Sequence, residues 1–201
     1  NGVTSAGEWH GFAEVWHQAT ALNRLVMEAL HQAGIPAVTV SPFSSVTAQD
    51  GRVDAWNLFH VKKALEHGLV PVVHGDVIFD EIRGGTILST EELFLHLGRE
   101  LKPRRILLAG LEEGIWQEYP GRNRLIQEIS PVEFSRYRSA LGEGSGIDVT
   151  GGMLSKVETM LSMVEEIPGL EVLVFSGEKA GNIQAALCGD NSGTRIANPG
   201  K

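Results

Sequence analysis

Apolar positions recur along this chain at two alternating periods, and that alternation predicts its elements. Leu22, Leu25, Val26, Ala29 and Ala33 fall three to four residues apart, which predicts a helix over residues 16–33 closed by Gly34 as its C-cap. Residues 35–40, running from Ile35 through Pro36 to Val40, read as a strand. Asp54 is placed to cap a second helix carrying Leu58, Phe59, Ala64 and Leu65 and ending at Gly68. The unbroken apolar run 69–73 suits a strand buried on both faces. Ile78-Phe79 and Thr86-Ile87-Leu88 flank Gly84-Gly85 as a hairpin would.

Thr90 then caps a helix with Leu93, Leu97 and Leu101, stopped by Pro103, and residues 105–109 form another buried-strand candidate. Ser130-Pro131-Val132-Glu133 has the form of a capping box with proline at the first helical position. Beyond the glycine-rich stretch 142–146, a helix from Gly152 carries Leu154, Val157, Leu161 and Val164. Residues 172–175 read as a strand, 183–187 as a short helix and 193–196 as a terminal edge strand. Helices alternating with apolar strands predict an α/β sandwich around a mostly parallel sheet. In such sheets ligands gather beyond strand C-termini, here the loops after Val73, Ala109 and Phe175.

Composition narrows the function classes. The 201 residues suffice for one compact domain. No window approaches the roughly 20 consecutive apolar residues of a membrane span, and Asn1-Gly2-Val3-Thr4 does not open a signal peptide. Cys188 is the one cysteine, expected in an inert apolar helix end, and a cytoplasmic location is the default. A formal net charge of −8 argues against nucleic-acid binding, which needs clustered Lys and Arg. An acidic chain binds phosphates through local devices instead: helix N-termini, glycine amides and single placed cations.

Three loops offer such devices. In His74-Gly75-Asp76, glycine admits a close ligand and the aspartate can orient a lysine or a metal-bound water, although a strand-to-turn punctuation has the same form. In the stretch from Asp148 through Thr150, Gly151 and Gly152 to Lys156, two glycines open a helix and the lysine follows one turn later. A glycine-rich helix start with a solvated lysine would look alike, and no Walker G-x-x-x-x-G-K-[ST] occurs. Gly110-Leu111-Glu112-Glu113-Gly114 carries paired acids suited to Mg²⁺ through water or to a ribose hydroxyl, or simply surface acids. His10 and His17 lack a third ligand at matching spacing, and no metal site is assigned. Trp9, Phe12, Val15 and Trp16 form an apolar cluster, by default core and otherwise a substrate pocket.

Taken in order, Gly11-Phe12-Ala13, Gly34-Ile35-Pro36-Ala37-Val38, Val70-Pro71-Val72-Val73-His74-Gly75-Asp76-Val77, Asp148-Val149-Thr150-Gly151-Gly152-Met153 with Lys156, Gly181-Asn182-Ile183 and Gly193-Thr194-Arg195-Ile196 resemble the isopentenyl phosphate kinases of the amino acid kinase family. The resemblance implies a three-layer αβα sandwich with an open sheet, a homodimer, and transfer of the ATP γ-phosphoryl group, with Mg²⁺, to a prenyl monophosphate. It implies Lys156 as the catalytic cation. It implies nucleotide contacts from Asp148, Thr150, Gly151, Gly152, Gly110, Glu113 and Gly114. Thr90, Glu91, Gly75 and Asp76 would serve the acceptor phosphate, and Phe12, Val15 and Trp16, with Phe79 or Ile87, the prenyl tail.

The family's opening lysine- and glycine-bearing strand turn, and the glycine-rich segment holding its acceptor-contacting histidine, do not occur in residues 1–201. The expectation is therefore a single kinase domain over 1–201, N-terminally incomplete and lacking its first strands. Ser89-Thr90-Glu91 replaces the family's S-G-D, and Gly110-Leu111-Glu112-Glu113-Gly114 its T-D-V-D-G. The alternatives are a kinase of another small phosphate, phosphonate or carboxylate, or a non-catalytic ligand-binding remnant of the fold.

Overall fold

The computed structural model describes residues 2–117, 122–134 and 152–200, so Asp148, Thr150, Gly151 and the glycine-rich stretch 142–146 lie outside the described residues. The chain divides into two compact units, Asn1–His96 and Leu97–Lys201.

The first unit opens with α1, Ala6–Gln32, which starts ten residues before the expected helix because Ser5 and Glu8 form a reciprocal capping box. Glu8 accepts the Thr4 and Ser5 N–H groups, and these hydrogen bonds hold its carboxyl at about 2. Its C-terminal end falls where glycine predicts, with Gly34 at φ 72°. Strands β1, Ala37–Thr39, and β4, Val70–Val72, pair in parallel. Contrary to the expectation of a strand buried on both faces, Val70 is exposed and Pro71 and Val72 only half-buried.

A four-stranded sheet follows, in the order β3-β2-β5-β6. Its members are β2, Val46–Gln49; β3, Arg52–Trp56; β5, Asp76–Asp80; and β6, Gly84–Leu88. Asp54 lies inside β3 and caps no helix. The Asp50-Gly51 turn, with both φ values positive, folds β2 and β3 into a hairpin instead. Helix α2, Phe59–Glu66, starts later, where Asn57 Oδ1 accepts the Phe59 N–H. Helix α3, Thr90–Leu101, starts after Ser89, whose hydroxyl accepts the Glu92 N–H.

The second unit is built on the sheet β10-β12-β11-β7, formed by Glu128–Ile129, Thr194–Ala197, Glu171–Ser176 and Arg105–Gly110. Strand β7 runs parallel to β11, in register from Arg105↔Glu171 to Gly110↔Ser176. Strand β12 is no edge: it sits between β10 and β11, with Thr194 and Ile196 fully buried. A short hairpin, β8, Ile115–Trp116, and β9, Leu125–Ile126, was not anticipated. Helix α4, Gly152–Glu166, packs on β11 and β12 through Val157, Met160, Leu161 and Val164. The last helix, α5, Asn182–Leu187, ends at Cys188, which is exposed rather than near the core. The fold is α/β as expected, with parallel pairing at β1·β4, β2·β5, β7·β11 and β10·β12 and antiparallel pairing at its hairpins and at β11·β12.

Candidate active site

In the first unit the chain leaves β4, turns through His74 and Gly75, and enters β5 at Asp76. Gly75 is required by close approach: a Cβ there would meet the Leu88 carbonyl oxygen at 3.1 Å and the Thr90 nitrogen at 3.5 Å. The His74-Gly75-Asp76 turn is thereby brought against the start of α3, so Gly75, Asp76 and Thr90 gather at one place. Thr90 is exposed and Glu91 half-buried in the first helical turn, where leading N–H groups face out of the helix. The neighbouring Glu92 is committed to structure, accepting the Val53 N–H at 3.3 Å.

Asp76 is almost fully buried. Burial pushes its carboxyl above the usual aspartate range, against the opposing pull of the Val77 N–H and of nearby His74. Four residues along the same strand, Asp80 is also buried, but its carboxylate accepts backbone N–H groups from Asp50, Gly51, Ile82 and Arg83 at 2.7–3.2 Å. Burial alone would raise it, yet those four donors outweigh burial and hold it below the usual range.

On the opposite face of this hairpin, Val77, Phe79, Gly85 and Ile87 line up by register, with Phe79 and Ile87 exposed. Phe12 lies over Gly85, and its ring sits 5.3 Å from Trp9 and 5.4 Å from Phe79. Phe43 joins them, 5.6 Å from Phe79 and 6.0 Å from Trp16. The cluster read from Phe12 and Trp16 therefore exists, but no residue of α1 is fully buried, and Val15 and Trp16 are 38% and 39% exposed. That is more open than a core and suits an apolar slot.

In the second unit the parallel strands β7 and β11 end side by side, at Gly110 and Ser176. The Gly177 N–H donates to the Gly110 carbonyl at 2.8 Å, the Ser176 hydroxyl to the Leu111 carbonyl at 3.3 Å, and the Asn182 amide to the Ser176 carbonyl at 2.9 Å. These bonds tie together two loops at strand C-termini, the position where α/β sheets collect ligands. The second loop, with Ser176, Gly177 and Asn182, contributed no assigned site residue at the sequence level, although its place after an apolar strand was readable.

The acids of the first loop are engaged within the protein. Glu112 accepts from Trp116 Nε1 at 3.0 Å and pairs with Arg122, while Glu113 pairs with Lys179 at 3.2 Å. Gly114 is buried beside Thr194, whose hydroxyl accepts the Ile115 N–H. Lys156 is half-buried one turn into α4, the helix that Gly152 opens. Among the described residues, no group of three or more His, Cys, Asp or Glu is placed to hold a metal, and His10 and His17 are exposed on α1. Nor, among them, is any helix long and apolar enough to cross a membrane.

The model of the amino acid kinase family matches residues 3–176. Isopentenyl phosphate kinase from Methanothermobacter thermautotrophicus is 33% identical over 192 residues, covering 92% of this chain and 70% of that protein. The enzyme of the same name from Methanocaldococcus jannaschii is 32% identical over 186 residues, covering 92% of this chain and 67% of that protein. A crystal structure of isopentenyl phosphate kinase superposes with a TM-score of 0.80 at 28% identity, over 98% of this chain and 75% of that one. The chain belongs to the amino acid kinase family.

Proposed function

We propose that this protein phosphorylates isopentenyl phosphate with ATP, giving isopentenyl diphosphate and ADP. The observation that carries the proposal is the joint occurrence of a family-wide match over residues 3–176 and relatives of that name at 31–33% identity across most of the chain. It is a phosphotransferase, and residues 1–201 belong to a single kinase domain whose two units serve one substrate each.

Phosphoryl transfer asks little covalent chemistry of a protein. It asks for in-line positioning and for positive charge on the equatorial oxygens. In the second unit we assign Lys156 to the transferring phosphate, with the Gly151-Gly152 amides at the start of α4 and Asp148 and Thr150 shaping the loop before it. Gly110, Glu113 and Gly114, tied to the Ser176–Asn182 loop, border the nucleotide. Because Glu112 and Glu113 already have basic partners and no acidic cage exists among the described residues, those residues do not fit a resident Mg²⁺ site. We assign Mg²⁺ to the nucleotide, as part of the substrate.

In the first unit, Thr90 and Glu91 with Gly75 and Asp76 receive the acceptor phosphate. The half-open face of Phe12, Val15 and Trp16 against Phe79 and Ile87 takes the prenyl tail. The protein works in the cytoplasm, a placement resting on its single cysteine, and as a homodimer, a state taken from the family resemblance.

A coupled ADP-release assay on the full-length protein, run across isopentenyl phosphate, small phosphonates and amino-acid carboxylates, tests the acceptor. Isopentenyl phosphate should give the highest kcat/KM, and a polar acceptor outperforming it would reject the assignment. Lys156→Met should lower kcat/KM by roughly 10²–10³, the loss typical of removing one charge-stabilising donor. Wild-type-like turnover would remove Lys156 from the site.

A further inference from the structure

The turn between β4 and β5 buries two polar side chains without satisfying them. The Asp76 side chain is wholly inaccessible, and that of His74 is 19% exposed. Asp76 Oδ1 accepts the Val77 N–H at 2.8 Å. Its Oδ2 lies 3.5 Å from His74 Nε2, an ion-pair distance without hydrogen-bond alignment. Neither that oxygen nor either ring nitrogen of His74 has a hydrogen-bond partner. An unmatched buried polar group costs stability, so three on one residue pair are poorly explained by packing. Buried groups of this kind concentrate where a protein contacts a ligand.

Gly75 presses the same turn against Leu88 and Thr90, so the pair sits beside the first turn of α3. An imidazolium has two N–H donors and no acceptor capacity. It can therefore face a carboxylate with one nitrogen and a phosphate oxygen with the other, from two separate positions on one rigid ring.

We propose that His74, oriented by Asp76, is a positioning residue for the acceptor: one ring N–H faces the Asp76 carboxylate and the other donates to an oxygen of a phosphomonoester held at the start of α3. This rests on the reading above that the Thr90–Glu91 turn receives the acceptor phosphate. No bond is made or broken at His74. It fixes the direction from which the acceptor oxygen approaches, the kind of constraint on which in-line transfer depends.

The test is ¹⁵N NMR of the histidine rings in the full-length wild-type protein, titrated with isopentenyl phosphate and, separately, with uncharged isopentenol. The His74 nitrogens should shift and saturate with the phosphate ester and stay fixed with the alcohol. Fixed His74 resonances at an ester concentration that saturates turnover would overturn the proposal. So would equal shifts with both compounds.

Kinetics supply the second arm. His74→Gln, which keeps one donor, and Asp76→Asn should each raise the acceptor KM about ten-fold or more, the loss expected for a charge-assisted hydrogen bond. The KM for ATP should stay within about two-fold. Unchanged values, or equal rises for both substrates, would show a structural role only and refute the assignment. If wild-type protein turns over no isopentenyl phosphate but His74 still responds to another phosphomonoester, the proposed function fails while this inference stands.

Discussion

Asp76 and Asp80 mark the two ends of β5, face the same side of the sheet and are both buried, but their carboxylates are treated in opposite ways. Asp80 collects four backbone N–H groups from two turns, Asp50-Gly51 and Ile82-Arg83. It is a fastener: the strand end holds the β2–β3 and β5–β6 turns together. Asp76 collects one N–H from its own neighbour and leaves an oxygen and an adjacent histidine unmatched. A saturated buried carboxylate stabilises its surroundings, whereas an unsaturated one costs stability and is kept for contact with something else. Burial alone does not separate the two; the donor count does.

Stability measurements on both sites can break that distinction. Asp80→Ala leaves four turn amides without their acceptor and should cost about 2–3 kcal/mol in chemical denaturation, at the upper end for hydrogen bonds to a charged group. Its KM values should stay near wild type in the fraction that folds. A loss well under 1 kcal/mol would show that Asp80 does not fasten the two turns.

Asp76→Asn should behave the other way, with stability unchanged or higher by up to about 1 kcal/mol, because it removes a buried charge. A strong destabilisation there would mean that the Asp76 carboxylate is structural after all.

The pH dependence of stability carries opposite signs for the two acids. The folded-state carboxyl of Asp80 is lowered, so its contribution is complete above the unfolded value near pH 4 and is lost as pH falls below that. That of Asp76 is raised, so it penalises folding once pH climbs above the same unfolded value. An acid melt should therefore show a stability loss below about pH 4 that Asp80→Asn reduces and Asp76→Asn does not. Equal effects from both variants would erase the contrast.

The smallest effect should come from an exposed pair. Arg99 donates to both carboxylate oxygens of Glu166 at 2.7 and 3.0 Å, and its hydrogen bonds hold that carboxyl below the usual range. Both side chains are substantially solvent-exposed. Arg99→Ala should therefore change stability by about 1 kcal/mol or less. A larger loss would show that this exposed pair is worth more than solvent screening allows.

Much of this arrangement was legible in the chain. The run into His74-Gly75-Asp76 located the turn, because strand ends in α/β proteins announce themselves as apolar runs followed by glycine. The start of α4 was equally readable from Gly152, and that of α3 to within one residue, since Ser89 and not Thr90 caps it. Two further local signals stand in the chain: the Ser5–Glu8 capping box that starts α1, and the Asp50-Gly51 turn that makes β2–β3.

Other features had no local signal. Whether β12 is an edge or an inner strand depends on β10, more than sixty residues earlier in the chain (Glu128↔Arg195). The half-exposure of β4 and the exposure of Cys188 likewise follow from which faces are covered, and periodicity does not report that. The contrast between Asp76 and Asp80 was illegible for the same reason. Both are aspartates in one strand, and two of the four donors that distinguish Asp80 come from Asp50 and Gly51, about thirty residues away in the chain.

The central claim concerns the reaction itself, and ³¹P NMR of the full-length protein with ATP, Mg²⁺ and isopentenyl phosphate tests it directly. The acceptor's monophosphate resonance should be replaced by a prenyl diphosphate pair that grows in step with ADP. ADP accumulating beside free inorganic phosphate, with the monophosphate untouched, would contradict the assignment.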